Sequence, residues 1–168
     1  APTTSNDDIL IGTRMGMAIR FKEEDVRPMG RTARGVRAIK LKKDGDAVVG
    51  MVIPTEETHQ ILTVCDNGYG KRTEAEDYRL QGRSGSGIIS LKMSDKTGLV
   101  SGVVGVCESD QLMVITNNGV MIRTNVNQIS VLGRATQGVR IINIDEGDSV
   151  ASLARVSEPE EAVAAEEG

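Results

Sequence analysis

Short apolar runs and glycine-bounded turns alternate along the whole chain, and they recur at a fixed distance. Ile9-Leu10-Ile11, Ile61-Leu62-Thr63-Val64 and Leu112-Met113-Val114-Ile115 each open a unit, and each is followed by a turn at Met15-Gly16, Asn67-Gly68 or Asn118-Gly119. Asn-Gly suits the positive φ of a tight hairpin turn. Gly16, Gly68 and Gly119 stand four residues before Arg20, Arg72 and Arg123, which end a second run. Ten residues later come the pairs Gly30-Arg31, Gly82-Arg83 and Gly133-Arg134, and four residues after each Arg come Gly35, Gly87 and Gly138. Alternating segments follow: Val36 to Leu41, Ile88 to Met93 and Val139 to Ile144. A polar turn then leads to a fourth apolar run such as Val48 to Ile53.

The period is 51 to 52 residues. Self-similarity at that period, with four short strand signals per unit, predicts a bladed array. The predicted fold is all-β: a propeller-like array of three four-stranded blades at about 8–57, 58–109 and 110–157, after a leader at 1–7. No window sustains a 3.6-residue period, which leaves only brief helix candidates at Glu74 to Tyr78 and around Glu160 to Glu166. Residues 158–168 lack apolar residues to pack and are predicted to be disordered.

Composition narrows the function. At 168 residues the chain can bury roughly 70% of its unfolded surface and needs no disulfide or metal to fold. No apolar run approaches the roughly 20 residues of a membrane-spanning helix, and the polar start, Ala1 to Asp8, is not a signal peptide. Cys65 and Cys107 lack CxxC spacing and sit in apolar runs, so they read as buried free thiols in a reducing compartment. The single histidine, His59, offers no triad or metal site and reads as a surface loop residue. There is no phosphate-cradling P-loop. Gly82 to Gly87 is Gly-rich without matching GxGxxG, and the repeats place it between strands of one blade. Glu23-Glu24-Asp25 reads as a solvated turn, and Tyr69 and Tyr78 as packing residues. No catalytic residue, metal ligand or cofactor site is assigned, and the chain by itself does not read as an enzyme.

Charge is unevenly spread. The net charge of −4 includes five glutamates and no basic residue in 158–168; without them the balance is +1. Arg14 to Lys43 carries 10 basic and 3 acidic residues. A glycine beside an arginine lets backbone N–H groups and a guanidinium approach one phosphate together. Alternatively, the glycines serve tight corners and the arginines pair with blade carboxylates. Threefold repetition favours duplex DNA held by its phosphates on a curved rim, without sequence readout. The scarcity of aromatics argues against single-strand binding by base stacking. The candidate DNA-binding residues are Arg20, Arg31, Arg34, Arg37, Lys71, Arg72, Arg83, Arg123, Arg134 and Arg140. The loop glycines beside them are Gly30, Gly35, Gly82, Gly85, Gly87, Gly133 and Gly138. The acidic tail, tethered to the last unit, is expected to compete with DNA for this rim.

Three segments carry a family resemblance: Val26-Arg27-Pro28-Met29-Gly30-Arg31-Thr32-Ala33-Arg34-Gly35-Val36-Arg37, Asn67-Gly68-Tyr69-Gly70-Lys71-Arg72-Thr73, and Ile129 through Arg140. Over about residues 8 to 157 the chain resembles the C-terminal domain of the bacterial DNA gyrase A subunit. The resemblance implies a β-pinwheel, in which neighbouring blades exchange strands, and a role in bending and wrapping duplex DNA for strand passage. It implies the last three of about six blades. The family's Gln-basic-Arg-Gly-Gly-basic-Gly box has its nearest match at Gln81-Gly82-Arg83-Ser84-Gly85-Ser86-Gly87, which lacks both flanking basic residues. The implied partners are duplex DNA and, in an A2B2 assembly, the remainder of the gyrase A subunit together with the gyrase B subunit, with no membrane. The implied location is the bacterial cytoplasm, on the nucleoid. ATP and magnesium belong to other parts of the resembled enzyme. Two rivals stand beside this reading: the homologous domain of topoisomerase IV, and a propeller-type protein-interaction scaffold, which would need apolar anchors on its rim.

Overall fold

A computed structural model describes residues 2–157; the predicted tail lies outside the described residues. The first repeat forms β1 (Asp8–Thr13), β2 (Met17–Lys22) and β3 (Val48–Val52). The second forms β4 (Gln60–Cys65), β5 (Tyr69–Glu74), β6 (Ile88–Ile89) and β7 (Val100–Val106). The third forms β8 (Gln111–Thr116), β9 (Met121–Asn125), β10 (Val139–Arg140) and β11 (Val150–Val156). Helical structure among the described residues is confined to single 3-10 turns at Glu23–Asp25, Ala75–Asp77 and Val126–Gln128. The fold is the all-β, strand-exchanged array that the repeats and the resemblance predict.

The sheets run β3-β1-β2-β6, β10-β5-β4-β7 and β11-β8-β9. Two are four-stranded and the third is three-stranded, which corrects the expectation of three four-stranded blades. The reason is strand exchange. β6 belongs to the second repeat yet completes the first sheet, with Met17 opposite Ile89 and Ala18 opposite Ile88. β10 completes the second sheet in the same way, with Gly70 opposite Val139 and Tyr69 opposite Arg140. No described segment follows to complete the third.

The exchanged strands are two residues long where the alternating pattern suggests six, because each touches its host strand only near the hairpin turn. Val36 to Leu41 forms no strand; among the described residues no host edge precedes it. It lies instead along the next loop, with the Lys40 amide donating to the Gly85 carbonyl at 2.8 Å and the Ser84 amide to the Ala38 carbonyl at 2.8 Å. The Gly82 to Gly87 loop therefore crosses from one blade to the previous one, rather than joining strands of one blade.

Strand exchange also places the core between blades. Leu10, Ala18 and Val52 of the first repeat pack with Ile61, Ala75, Tyr78 and Val103 of the second. Leu62, Val64 and Val106 pack with Leu112, Val114, Val126 and Ile129 of the third. Tyr78 is fully buried, its hydroxyl 2.8 Å from Ser90 Oγ. Cys65 is buried, and that burial, with Asp66 adding to it, pushes its thiol up to about 12. Cys107 is only half-buried.

Candidate nucleic-acid interface

The repeated cations fall into two groups with different partners. Arg20, in β2, donates to Asp8 Oδ2 at 2.8 Å and to the carbonyls of Ala75 (2.7 Å) and Tyr78 (3.2 Å) in the next repeat. Burial alone would raise the Asp8 carboxyl, but hydrogen bonds from Lys22 and Arg20 outweigh it and hold the group below its usual value. Arg72, in β5, is 4% exposed. It donates to Gln60 Oε1 at 2.8 Å and to the Ile129 carbonyl of the third repeat at 2.7 Å. Each arginine thus clasps the 3-10 turn of the following repeat. Arg123, at the matching place in β9, is exposed, with Gln111 as its hydrogen-bond partner.

Lys71 has no exposed surface. Its Nζ donates to the carbonyls of Gly133 (2.6 Å) and Arg134 and to Thr136 Oγ1 (3.1 Å). Burial, and after it the neighbouring Arg134 guanidinium, pushes the ammonium down to about 8. Lys71 and Arg72 lie inside the joint between blades, not on the exposed rim where the sequence reading puts them. The cause is the third repeat, whose Gly-Arg loop covers Lys71 and whose 3-10 turn covers Arg72.

The Gly-Arg loops divide the same way. Arg83 donates to the Arg37 carbonyl at 2.6 Å, and Arg134 donates to the Ile89 carbonyl at 2.7 Å. Positions 37 and 89 are equivalent, so each loop arginine reaches back to the repeat before it. Gly87 and Gly138 have positive φ and sit so close to the preceding blade that an added Cβ would lie 2.5 Å from the carbonyl oxygens of Ala18 and Gly70. Gly30, Gly82 and Gly133 face open space, whereas Gly85 touches Ile19 and the Gln81 side chain. Gly35 has the same positive φ as Gly87 and nothing within 4 Å.

Arg31, Arg34 and Arg37 are exposed, and their side chains make no hydrogen bond or ion pair with any described residue. Four further cations of the same stretch share that condition: Arg27, Lys40, Lys42 and Lys43. The seven stand within residues 27–43, a stretch without one carboxylate. The sequence reading counts these four in its charge balance but does not name them as site residues; the signal was the absence of acids between them. Arg140 is exposed and lies over the Tyr69 ring at 5.3 Å, with Lys96 over the same ring at 5.2 Å. Arg14 is tied to Asp66 at 3.1 Å, and Arg155 to Asp110 at 2.6 Å and Glu57 at 3.1 Å, whereas Arg79 and Lys92 of the second repeat are exposed with no side-chain partner among the described residues. His59 is exposed, its Nε2 3.7 Å from Glu74. Among the described residues no group of His, Cys, Asp and Glu is placed to hold a metal, and no helix is long and apolar enough to cross a membrane.

The arrangement offers a contiguous strip of unpaired guanidinium and ammonium groups on open backbone, suited to a polyanion. Comparison with known proteins bears on which one. A family model described as DNA gyrase C-terminal domain, beta-propeller, matches residues 7–55, 59–106 and 110–157. The DNA gyrase A subunit of Salmonella typhimurium is 48% identical over 157 residues, covering 94% of this chain and 18% of that protein. The chain therefore spans less than a fifth of that relative. A solved DNA gyrase A C-terminal domain matches with a TM-score of 0.83 at 29% identity, over 91% of this chain and 52% of that one. The C-terminal domain of DNA topoisomerase IV matches with a TM-score of 0.84 at 24% identity, over 92% and 48%, which speaks for the fold alone.

Proposed function

Because the chain belongs to the DNA gyrase C-terminal domain family of β-propellers, we propose that it binds duplex DNA through its phosphates and bends it along the strip at residues 27–43. The observation that carries this reading is the seven exposed cations there, unpaired among the described residues, beside joint cations that are all engaged by protein carbonyls or carboxylates. Guanidinium and ammonium groups on an open, glycine-bearing backbone can follow successive phosphates and read no base edges. The function within a longer protein is the family's: presenting a wrapped segment for strand passage by DNA gyrase, an ATP-dependent type II topoisomerase. The protein partners, the rest of the gyrase A subunit with the gyrase B subunit, follow from the same reading. So does a bacterial cytoplasmic, nucleoid-associated location. ATP and magnesium are assigned to other parts of such an enzyme.

A salt titration of duplex binding tests this. Each neutralised phosphate contributes about −0.9 to the slope of log K against log salt, so full engagement of the strip gives a slope of about −6. Duplexes of unrelated sequence should give the same slope. Absence of binding at low salt favours the protein-interaction scaffold.

A further inference from the structure

The second and third Gly-Arg loops treat the segment they meet in the same way. Arg83 donates to the Arg37 carbonyl at 2.6 Å, and the Gly85 carbonyl, two residues on, accepts the Lys40 amide at 2.8 Å. Arg134 donates to the Ile89 carbonyl at 2.7 Å, and the Thr136 carbonyl, again two residues on, accepts the Lys92 amide at 2.9 Å. Each loop thus brackets a stretch of the repeat before it, 37–40 or 89–92, between one side-chain donor and one backbone acceptor. The brackets are themselves anchored. Gly87 and Gly138 press on the Ala18 and Gly70 carbonyls, and Lys71 pins the third loop by donating to the Gly133 carbonyl and to Thr136 Oγ1.

Each bracket ends on a lysine that faces outward. Ile39 and Leu91 are buried, whereas Lys40 and Lys92, next in the chain, are exposed and have no side-chain partner among the described residues. Lys40 belongs to the strip at 27–43. Lys92 lies one period later, outside that strip, and is the one cation within 89–92. The third equivalent is Asn143, so the pattern presents a lysine twice.

Resting on the duplex-binding reading above, we propose that Lys92 is a further phosphate contact, the counterpart of Lys40, and that Arg83 and Arg134 are positioning residues that act on DNA only through the segments they bracket. A long side chain ordered against a phosphate gives up rotamer freedom, and fixing its backbone beforehand lowers the cost of binding. The brackets therefore raise affinity without adding a charge to the interface. Because the bracket recurs at the repeat spacing, Lys40 and Lys92 hold equivalent places on successive blades, where two stretches of one bent duplex can meet them. The loop arginines are then spent on protein carbonyls and still serve the DNA.

Duplex affinity against salt, measured on single and double variants below their melting temperatures, tests this. Lys92→Ala should reduce the magnitude of the log–log slope by about 0.9, the share of one phosphate. Arg134→Ala should weaken binding about fivefold at fixed salt, in line with the ordering cost of one long side chain, and leave the slope as in wild type. In a Lys92→Ala background the same change should have no further effect on affinity, because the group it positions is gone. Arg134→Gln keeps an N–H for the Ile89 carbonyl and removes the charge, so it should retain the wild-type slope and most of the affinity. Without DNA, hydrogen exchange at the Lys92 amide should be faster in Arg134→Ala than in wild type. A slope untouched by Lys92→Ala, a slope reduced by Arg134→Gln, an Arg134→Ala loss that is the same with and without Lys92, or an exchange rate unmoved by Arg134→Ala would each overturn the proposal while leaving duplex binding by the strip intact. A wild-type chain that binds no duplex at low salt would instead overturn the functional reading itself.

Discussion

The first Gly-Arg loop and the two that follow carry the same Gly-Arg pair and the same closing glycine at the same spacing, and they stand in opposite surroundings. In the second and third repeats the loop folds back on the preceding blade. Its glycine touches a host carbonyl, and its arginine donates to another. In the first repeat the same glycine faces open space, and the arginines at 31, 34 and 37 face solvent. A Gly-Arg motif is thus neither a DNA contact nor a joint by composition alone. What decides is whether a blade edge lies beneath it. Where one does, its carbonyls take up the guanidinium; where none does, the charge remains available to an anion.

The widest gap between the two regions should appear on adding a methyl group. Gly138→Ala combines the cost of positive φ with a collision against the Gly70 carbonyl, and should destabilise the fold by about 3–4 kcal/mol. Gly35→Ala has the φ cost alone and should destabilise by about 1 kcal/mol. Urea unfolding of both at low micromolar concentration checks this, and equal losses would erase the distinction between the loops.

The strand arginines give the next contrast. Arg72→Ala leaves buried carbonyls without their donor and should cost about 2–3 kcal/mol. Arg123→Ala removes an exposed side chain and should stay within about 0.5 kcal/mol. Equal effects in the same unfolding assay would contradict the assignment of Arg72 to the joint.

Lys71 adds a pH signature confined to the joint. Its folded pKa of about 8 lies below the ordinary lysine value, so the unfolded chain holds more protons above that pH. Stability contributed at this site therefore rises with pH between about 8 and 9, by about 1 kcal/mol. Above that window the raised thiol of Cys65 acts in the opposite sense. Lys71→Met should lose the rise, which unfolding curves at several pH values would read directly.

The strands that carry each repeat's own hairpin are legible in the sequence because their apolar runs recur at one spacing and their turns are marked by Met-Gly or Asn-Gly. Val36 to Leu41 of the first repeat has the pattern of a strand and forms none, because alternation records a capacity to pair, whereas pairing needs a neighbouring edge. The site was half legible. The charge balance pointed to residues 14–43, where the free cations lie. Periodicity, however, gave Arg20, Lys71, Arg72, Arg83 and Arg134 the same standing as Arg31 and Arg34, since a carbonyl and a phosphate recruit the same side chains at the same spacing. One clue was present: Asp8, Gln60 and Gln111 stand twelve residues before Arg20, Arg72 and Arg123, a repeating acceptor diagonally across the hairpin from a repeating donor.

Two sets of variants separate the free strip from the joints most directly when duplex affinity is measured against salt at low micromolar protein. Replacing Arg31, Arg34 and Arg37 together with Ala should reduce the magnitude of the log–log slope by about 2–3 and weaken all duplexes alike, with the melting temperature little changed. Replacing Arg83 and Arg134 with Ala should leave the slope as in wild type while lowering the melting temperature. A slope that falls with the joint pair and holds with the first-repeat trio would contradict the account.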